Sequence, residues 1–88
     1  MIVEVTEKFL ADIDRLRDKK IKERLDKLID LMEKASSLSE LPHLKKLKGY
    51  SNAYRLRVGN YRAGFLFEDG KIKLGRFLSR PDIYRKFP

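Results

Sequence analysis

The stretch YRLRVGNYRAGFLFEDGKIKLGRFL, residues 54–78, alternates apolar and charged residues and is cut twice by glycine-bearing turns. Tyr54, Leu56 and Val58 alternate with Arg55 and Arg57, the period of two expected of a half-buried strand. Gly59-Asn60 is a turn signal, after which Tyr61 to Phe67 reads as a second strand. Glu68-Asp69-Gly70 closes it; Asp-Gly between alternating hydrophobics is a strong hairpin signal, and Lys71 to about Leu78 forms the return strand. The stretch therefore predicts an antiparallel meander with one apolar face and one face rich in arginine.

Upstream, the period becomes helical. Ile2 to Val5 alternate as a short first strand, with Val3 and Val5 facing one way. Thr6 is placed to cap a helix whose Phe9, Ile13 and Leu16 recur at helical spacing to about Arg17. Asp18 caps a second helix with an apolar stripe of Ile21, Leu25, Leu28, Ile29 and Met32. Its other face pairs Glu23 with Lys27 and Asp30 with Lys34, acid first, as on a solvated helix. Ala35 to Pro42 reads as a loop, and Leu44 and Leu47 flank lysines before a break at Gly49. Downstream, Arg80-Pro81 ends the sheet, leaving Asp82 to Phe87 room for one helical turn. The expected class is α+β: an N-terminal strand, a two-helix hairpin, then an antiparallel sheet of three to four strands packed on the helices. Residues 1–88 are expected to form a single domain, with the second sheet face open.

Charge is distributed unevenly along this plan. Residues 1–44 hold nine Lys/Arg against ten Asp/Glu, whereas residues 45–88 hold twelve against three, Glu68, Asp69 and Asp82. A near-neutral half followed by a half of net +9 points to a face for polyanions. Absence of cysteine excludes a disulfide framework and a thiolate metal site. The N-terminus shows no signal-peptide pattern, and no apolar run approaches the about 20 residues of a membrane span. A cytoplasmic protein without membrane contact is expected. The one histidine, His43, follows Pro42 in a loop and reads as a solvated polar residue. No cluster of metal ligands, Gly-rich phosphate loop, Ser/His/Asp set or paired carboxylate site can be drawn, so no metal or cofactor is expected and catalysis must rest on cations and tyrosine.

Period two places Arg55 and Arg57 on one face, about 7 Å apart along the strand. The hairpin brings Arg62 beside them, and Arg80 and Tyr84 follow the last strand, which carries Arg76. Guanidiniums stay charged and bind phosphate through paired hydrogen bonds. Gathered without nearby acids they repel one another unless an anion lies between them. Tyr84 adds a group able to stack on a base or move a proton. Tyr50, Tyr54, Tyr61, Phe65, Phe67 and Phe77 read as core or strand packing.

The segments KKLKGYSNAYRLRVGNYRAGF (45–65) and RPDIYRKFP (80–88), behind a two-helix N-terminal half, resemble the RelE/ParE superfamily of type II toxin–antitoxin toxins, the RelE-like side more closely. The resemblance covers essentially the whole chain. It implies a ribosome-dependent endoribonuclease that cleaves mRNA in the A site through the ribose 2′-OH, without metal, and is restrained by a cognate antitoxin. By position, it implies that Arg55 and Arg57 are the basic pair of the central strand and that Arg62 stabilises the pentavalent phosphate. Arg80 corresponds to the basic residue near the end of the last strand, and Tyr84 to the C-terminal tyrosine acting as base or stacking group. Lys45, Lys46, Lys48 and Arg76 are expected to contact RNA. Some members carry lysines where this chain has Arg55 and Arg57. Two other functions are compatible with the basic face: a ParE-like inhibitor of DNA gyrase, and a nucleic-acid-binding module without catalysis.

Overall fold

Thr6 turns the chain from its first strand into its first helix, and the reason is local. In the computed structural model, which describes residues 1–88, the Thr6 hydroxyl accepts from the Phe9 N–H at 3.1 Å and donates to the Gly75 carbonyl at 3.0 Å. One side chain thus starts helix α1 (Glu7–Asp14) and ties it to the last strand. Asp18 starts helix α2 (Lys19–Lys34) in the same way, accepting from the Lys20 and Ile21 N–H groups at 2.9 and 3.2 Å. Both caps are those read from the sequence; α1 ends three residues before the expected Arg17. The loop that follows α2 contains one 3₁₀ turn, Leu38–Glu40, with Glu40 accepting from the Ser36 and Ser37 N–H groups.

Five strands form one sheet in the order β1-β5-β4-β3-β2. Strand β1 (Ile2–Val5) lies parallel to β5 (Lys71–Ser79) at one edge. Strands β2 (Leu44–Lys46), β3 (Ala53–Val58), β4 (Tyr61–Glu68) and β5 pair antiparallel. The sheet is therefore mixed and one strand larger than the antiparallel three- to four-stranded sheet expected, because β1 joins its edge. Asp69 and Gly70 both have positive φ, 51° and 75°, the conformation of a two-residue hairpin turn and the reason Asp-Gly suits the position.

The core lies between the helices and one sheet face. Phe9, Leu25, Met32, Leu56, Phe65, Ile72, Leu74 and Phe77 are all but inaccessible there. The expected stripe of α2 is present: Ile21, Leu25, Leu28 and Met32 are buried and Ile29 packs against the core. In β1, Val3 is partly buried against the core whereas Val5 is exposed.

The second sheet face is not left open as expected. Residues after the last strand form helix α3 (Arg80–Lys86), two turns rather than one, and it packs over β4 and β5. Ile83 is 1% exposed, and the Phe87 ring lies over Gly64 and Gly75. A Cβ at residue 64 would stand 2.6 Å from that ring and one at residue 75 would stand 2.7 Å away, so the two glycines form its seat. The part of the face over β4 and β5 is thus covered by α3. The arginines occupy the remainder.

Candidate nucleic-acid interface

Register sets the center of the site. Arg57 on β3 stands directly opposite Arg62 on β4, and Arg55 stands opposite Gly64. Like charges directly across an antiparallel pair are unfavourable, so this pairing is retained at a cost. Arg80 joins them because its N–H donates to the Asn60 carbonyl at 3.2 Å, anchoring the start of α3 to the β3–β4 turn. Lys45 is the register partner of Arg55 on the neighbouring strand β2. Arg55, Arg57, Arg62, Arg80, Lys45 and His43 line a solvent-open cleft of about 410 Å³ that contains no carboxylate.

The electrostatics of this cleft are unbalanced. The chain contains two ion pairs, Arg76–Asp12 and Arg85–Asp82, and neither involves the cleft. Arg62 is only 7% exposed; it donates to the carbonyls of Gly59 and Tyr61 at 3.1 and 3.0 Å. Its Nε, like that of Arg55, is buried without a hydrogen-bond partner. The Arg62 pKa is held below the ordinary arginine value by burial first, then by the cations Arg55 and Arg80, opposed by Tyr84, with a smaller like effect from Arg57. An anion in the cleft would relieve the repulsion among the guanidiniums.

Tyr84 projects from α3 at the margin of the cleft, half-exposed, with the Arg55 guanidinium carbon 5.9 Å from its ring centroid. That is near the outer limit of a cation–π contact. Its helix is held by Ile83 and Phe87 on the sheet. Asp82, the one acid on α3, is turned to Arg85 and Ser79; hydrogen bonding from Arg85 is the main cause holding its carboxyl below the usual range. The acid therefore does not neutralise the arginines.

The residues expected at the site separate into three groups. Arg55, Arg57, Arg62, Arg80 and Lys45 share the cleft, with Tyr84 at its margin. Lys46 and Lys48 lie beside it, lining an adjacent recess with Tyr50 and Tyr84. Arg76 belongs to neither. Its Nε and a terminal nitrogen donate to the two Asp12 oxygens at 2.8 and 3.0 Å, and the Phe77 N–H donates to the same carboxylate at 2.9 Å. The register shift between Gly64 and Phe65 puts Arg76 opposite Gly64, the partner of Arg55, and Gly75 inside the strand was the sequence signal for that bulge. The Arg76 guanidinium is nevertheless taken by Asp12 of α1, beside the edge of β5 that β1 leaves unpaired after Leu74.

Two further residues lie at the site. His43, expected to be a solvated polar residue, is exposed just before β2 with φ 58°, and its Nδ1 accepts from an Arg57 terminal nitrogen at 3.3 Å. Reading Leu44 to Lys46 as a strand would have placed His43 in phase with Lys45. Tyr50, expected in packing, is 50% exposed in the β2–β3 loop. Its lysine-flanked loop position, directly after Gly49, was the available signal.

Comparison with known proteins follows the same lines. The family model for the ParE toxin of the type II toxin–antitoxin system parDE matches residues 3–84. Toxin RelE3 of Methanocaldococcus jannaschii is 42% identical over 69 residues, covering 77% of this chain and 78% of that protein. A chain of the RelB–RelE antitoxin–toxin complex from Methanococcus jannaschii superposes with a TM-score of 0.82 at 34% identity, covering 97% of this chain and 99% of its own. The archaeal RelE–RelB complex from Pyrococcus horikoshii OT3 contains the same fold, with a TM-score of 0.71 at 24% identity over 90% of this chain and 93% of that one.

Proposed function

This chain belongs to the RelE/ParE superfamily of type II toxin–antitoxin toxins, and on that footing we propose that it is a ribosome-dependent endoribonuclease that cleaves mRNA in the A site. The observation that carries the reading is the carboxylate-free cleft, in which buried Arg62 faces Arg55, Arg57 and Arg80 beside a half-exposed tyrosine. In this mechanism the ribose 2′-oxygen attacks the adjacent phosphorus, the bond to the 5′-oxygen breaks, and a 2′,3′-cyclic phosphate remains. Tyr84, in its phenolate form, accepts the 2′-OH proton, or its ring holds the neighbouring base, and water protonates the departing 5′-oxygen. Arg62 donates to the pentavalent phosphate, while Arg55, Arg57 and Arg80 fix its remaining oxygens in line. The guanidiniums supply the charge neutralisation that a metal provides in other nucleases, so the scheme needs none.

Its partners in this reading are the ribosome, mRNA and a cognate antitoxin. The RelB–RelE complexes of the archaeal relatives support the last of these. The antitoxin would cover the basic face with acidic and apolar side chains. The test is incubation of the pure protein with programmed ribosomes, with transcript ends mapped. Wild type should cut at A-site codons, and Arg62→Ala should cut about 10²–10³-fold more slowly, the usual cost of losing one fixed transition-state donor. Equal cutting by the variant would remove Arg62 from the mechanism. The match to the ParE family model favours one second reading, a gyrase inhibitor. Inhibition of supercoiling without mRNA cleavage would select it.

A further inference from the structure

We propose that Tyr50 is a second stacking surface for one unstacked base of single-stranded RNA, in the recess that it shares with Tyr84 beside the arginine cleft; this rests on the ribonuclease reading, in which Tyr84 meets the neighbouring base, and adds Tyr50 to that subsite. The recess measures about 440 Å³ and is mostly apolar, lined by Leu47, Tyr50, Tyr84 and Phe87 with lysines at its rim. Tyr50 and Tyr84 are 50% and 49% exposed, the only aromatic residues among the chain's exposed large hydrophobic side chains. Both line this one space. The rest of the aromatic side chains are spent on packing, as in the stacked pairs Tyr54–Phe65 and Tyr61–Phe77.

The recess and the phosphate cleft adjoin. Lys45 lines both, and the guanidinium carbon of Arg55, which lines the cleft, is 5.9 Å from the Tyr84 ring centroid. A strand with one phosphate held by the arginines therefore presents its neighbouring nucleotide to the recess. A base has flat apolar faces, which suit the two tyrosine rings and Phe87, and its next phosphate meets Lys46 or Lys48 at the rim. Stacking of this kind tolerates any base, with the preference set by stacking strength. The lining lysines and the neighbouring carboxylate-free cleft favour a nucleic-acid strand over an apolar peptide.

The subsite is fixed from two sides. Leu47 donates its N–H to the Ala53 carbonyl at 2.9 Å, closing the loop that carries Tyr50, and Phe87 in its glycine seat holds α3 and Tyr84. The site therefore does not depend on Tyr50 for folding, and Tyr50 substitutions leave a folded protein.

The test uses the full chain and a single-stranded hexaribonucleotide, 2′-O-methylated throughout and carrying one 2-aminopurine. Ribosome-dependent cleavage is followed in parallel. Wild type should quench the 2-aminopurine at one position of the strand. Tyr50→Ala should abolish that quenching and raise the Kd about 5- to 100-fold, the range of one lost base–aromatic stack. Tyr50→Phe, which retains the ring, should keep both. If wild type cleaves message and Tyr50→Ala matches it in quenching and Kd, the base subsite is overturned and the ribonuclease reading stands. The same holds if Tyr50→Ala weakens only the binding of an acidic peptide. If wild type neither cleaves message nor binds the probe, both readings fall.

Discussion

Arg62 and Arg76 lie on adjacent strands of one sheet, both largely withdrawn from water, and they are held in opposite ways. Arg76 meets both oxygens of a buried Asp12, and hydrogen bonding to that carboxylate raises its pKa against the opposing effect of burial. Arg62 meets two carbonyls and three other guanidiniums, and burial followed by those cations lowers its pKa. The first arginine is complete within the fold. The second is complete only with an anion. Net charge is the same at both positions; what differs is whether an acid on another element reaches the guanidinium.

The comparison breaks first on stability. Asp12→Ala leaves a part-buried Arg76 without a counter-charge and the buried Phe77 N–H without its acceptor, and should cost about 3 kcal/mol in urea unfolding. Arg62→Met, which keeps the apolar stem and removes the repelled charge, should be neutral or stabilising in the same measurement. Equal losses from the two variants would show that both arginines are structural. A second effect should fall on the support of Tyr84. Phe87→Ala removes the ring from its glycine seat and should cost about 2–3 kcal/mol, below the range for a fully buried phenylalanine. Hydrogen exchange should show α3 losing protection while β3 and β4 keep theirs; uniform loss would mean that α3 is part of the main core. The smallest effect should appear in salt dependence. Arg57→Ala should lower the slope of log K against log salt for single-stranded RNA by about 0.7, and Lys71→Ala, in the far hairpin, should leave it unchanged. Equal slopes for wild type and both variants would place the phosphates elsewhere.

Much of this arrangement is written locally. Hydrogen bonds within a few residues define the caps at Thr6 and Asp18, and the Asp69-Gly70 turn follows from backbone sterics, so each is legible without the rest of the fold. The alternation of Arg55 and Arg57 with Leu56 and Val58 is equally local, because side chains in a strand change face at every residue. The face of β3 that carries the arginines was therefore readable, as was the crossing of Arg62 to it through a two-residue turn.

Reading failed where distant segments meet. The length of α3 was misjudged because its apolar anchors, Ile83 and Phe87, are too few to show helical period, and their seat is built from Gly64 and Gly75 on two other strands. Arg76 was placed with the RNA contacts because the carboxylate that takes it, Asp12 on α1, lies far away in the chain and leaves no mark on the strand's own pattern. Tyr50 was assigned to packing because composition does not say whether a loop folds inward.

The sequence by itself determined the order of helices and strands, the basic half of the chain and the arginine-bearing face of β3, since these depend on propensity, period and charge within short windows. Only the tertiary structure decided which arginine received a carboxylate partner, that α3 covers part of the second sheet face, and that Tyr50 and Tyr84 share a recess beside the cleft. Those outcomes depend on contacts between residues as much as 64 positions apart, as in Arg76 and Asp12, and no local window contains both partners.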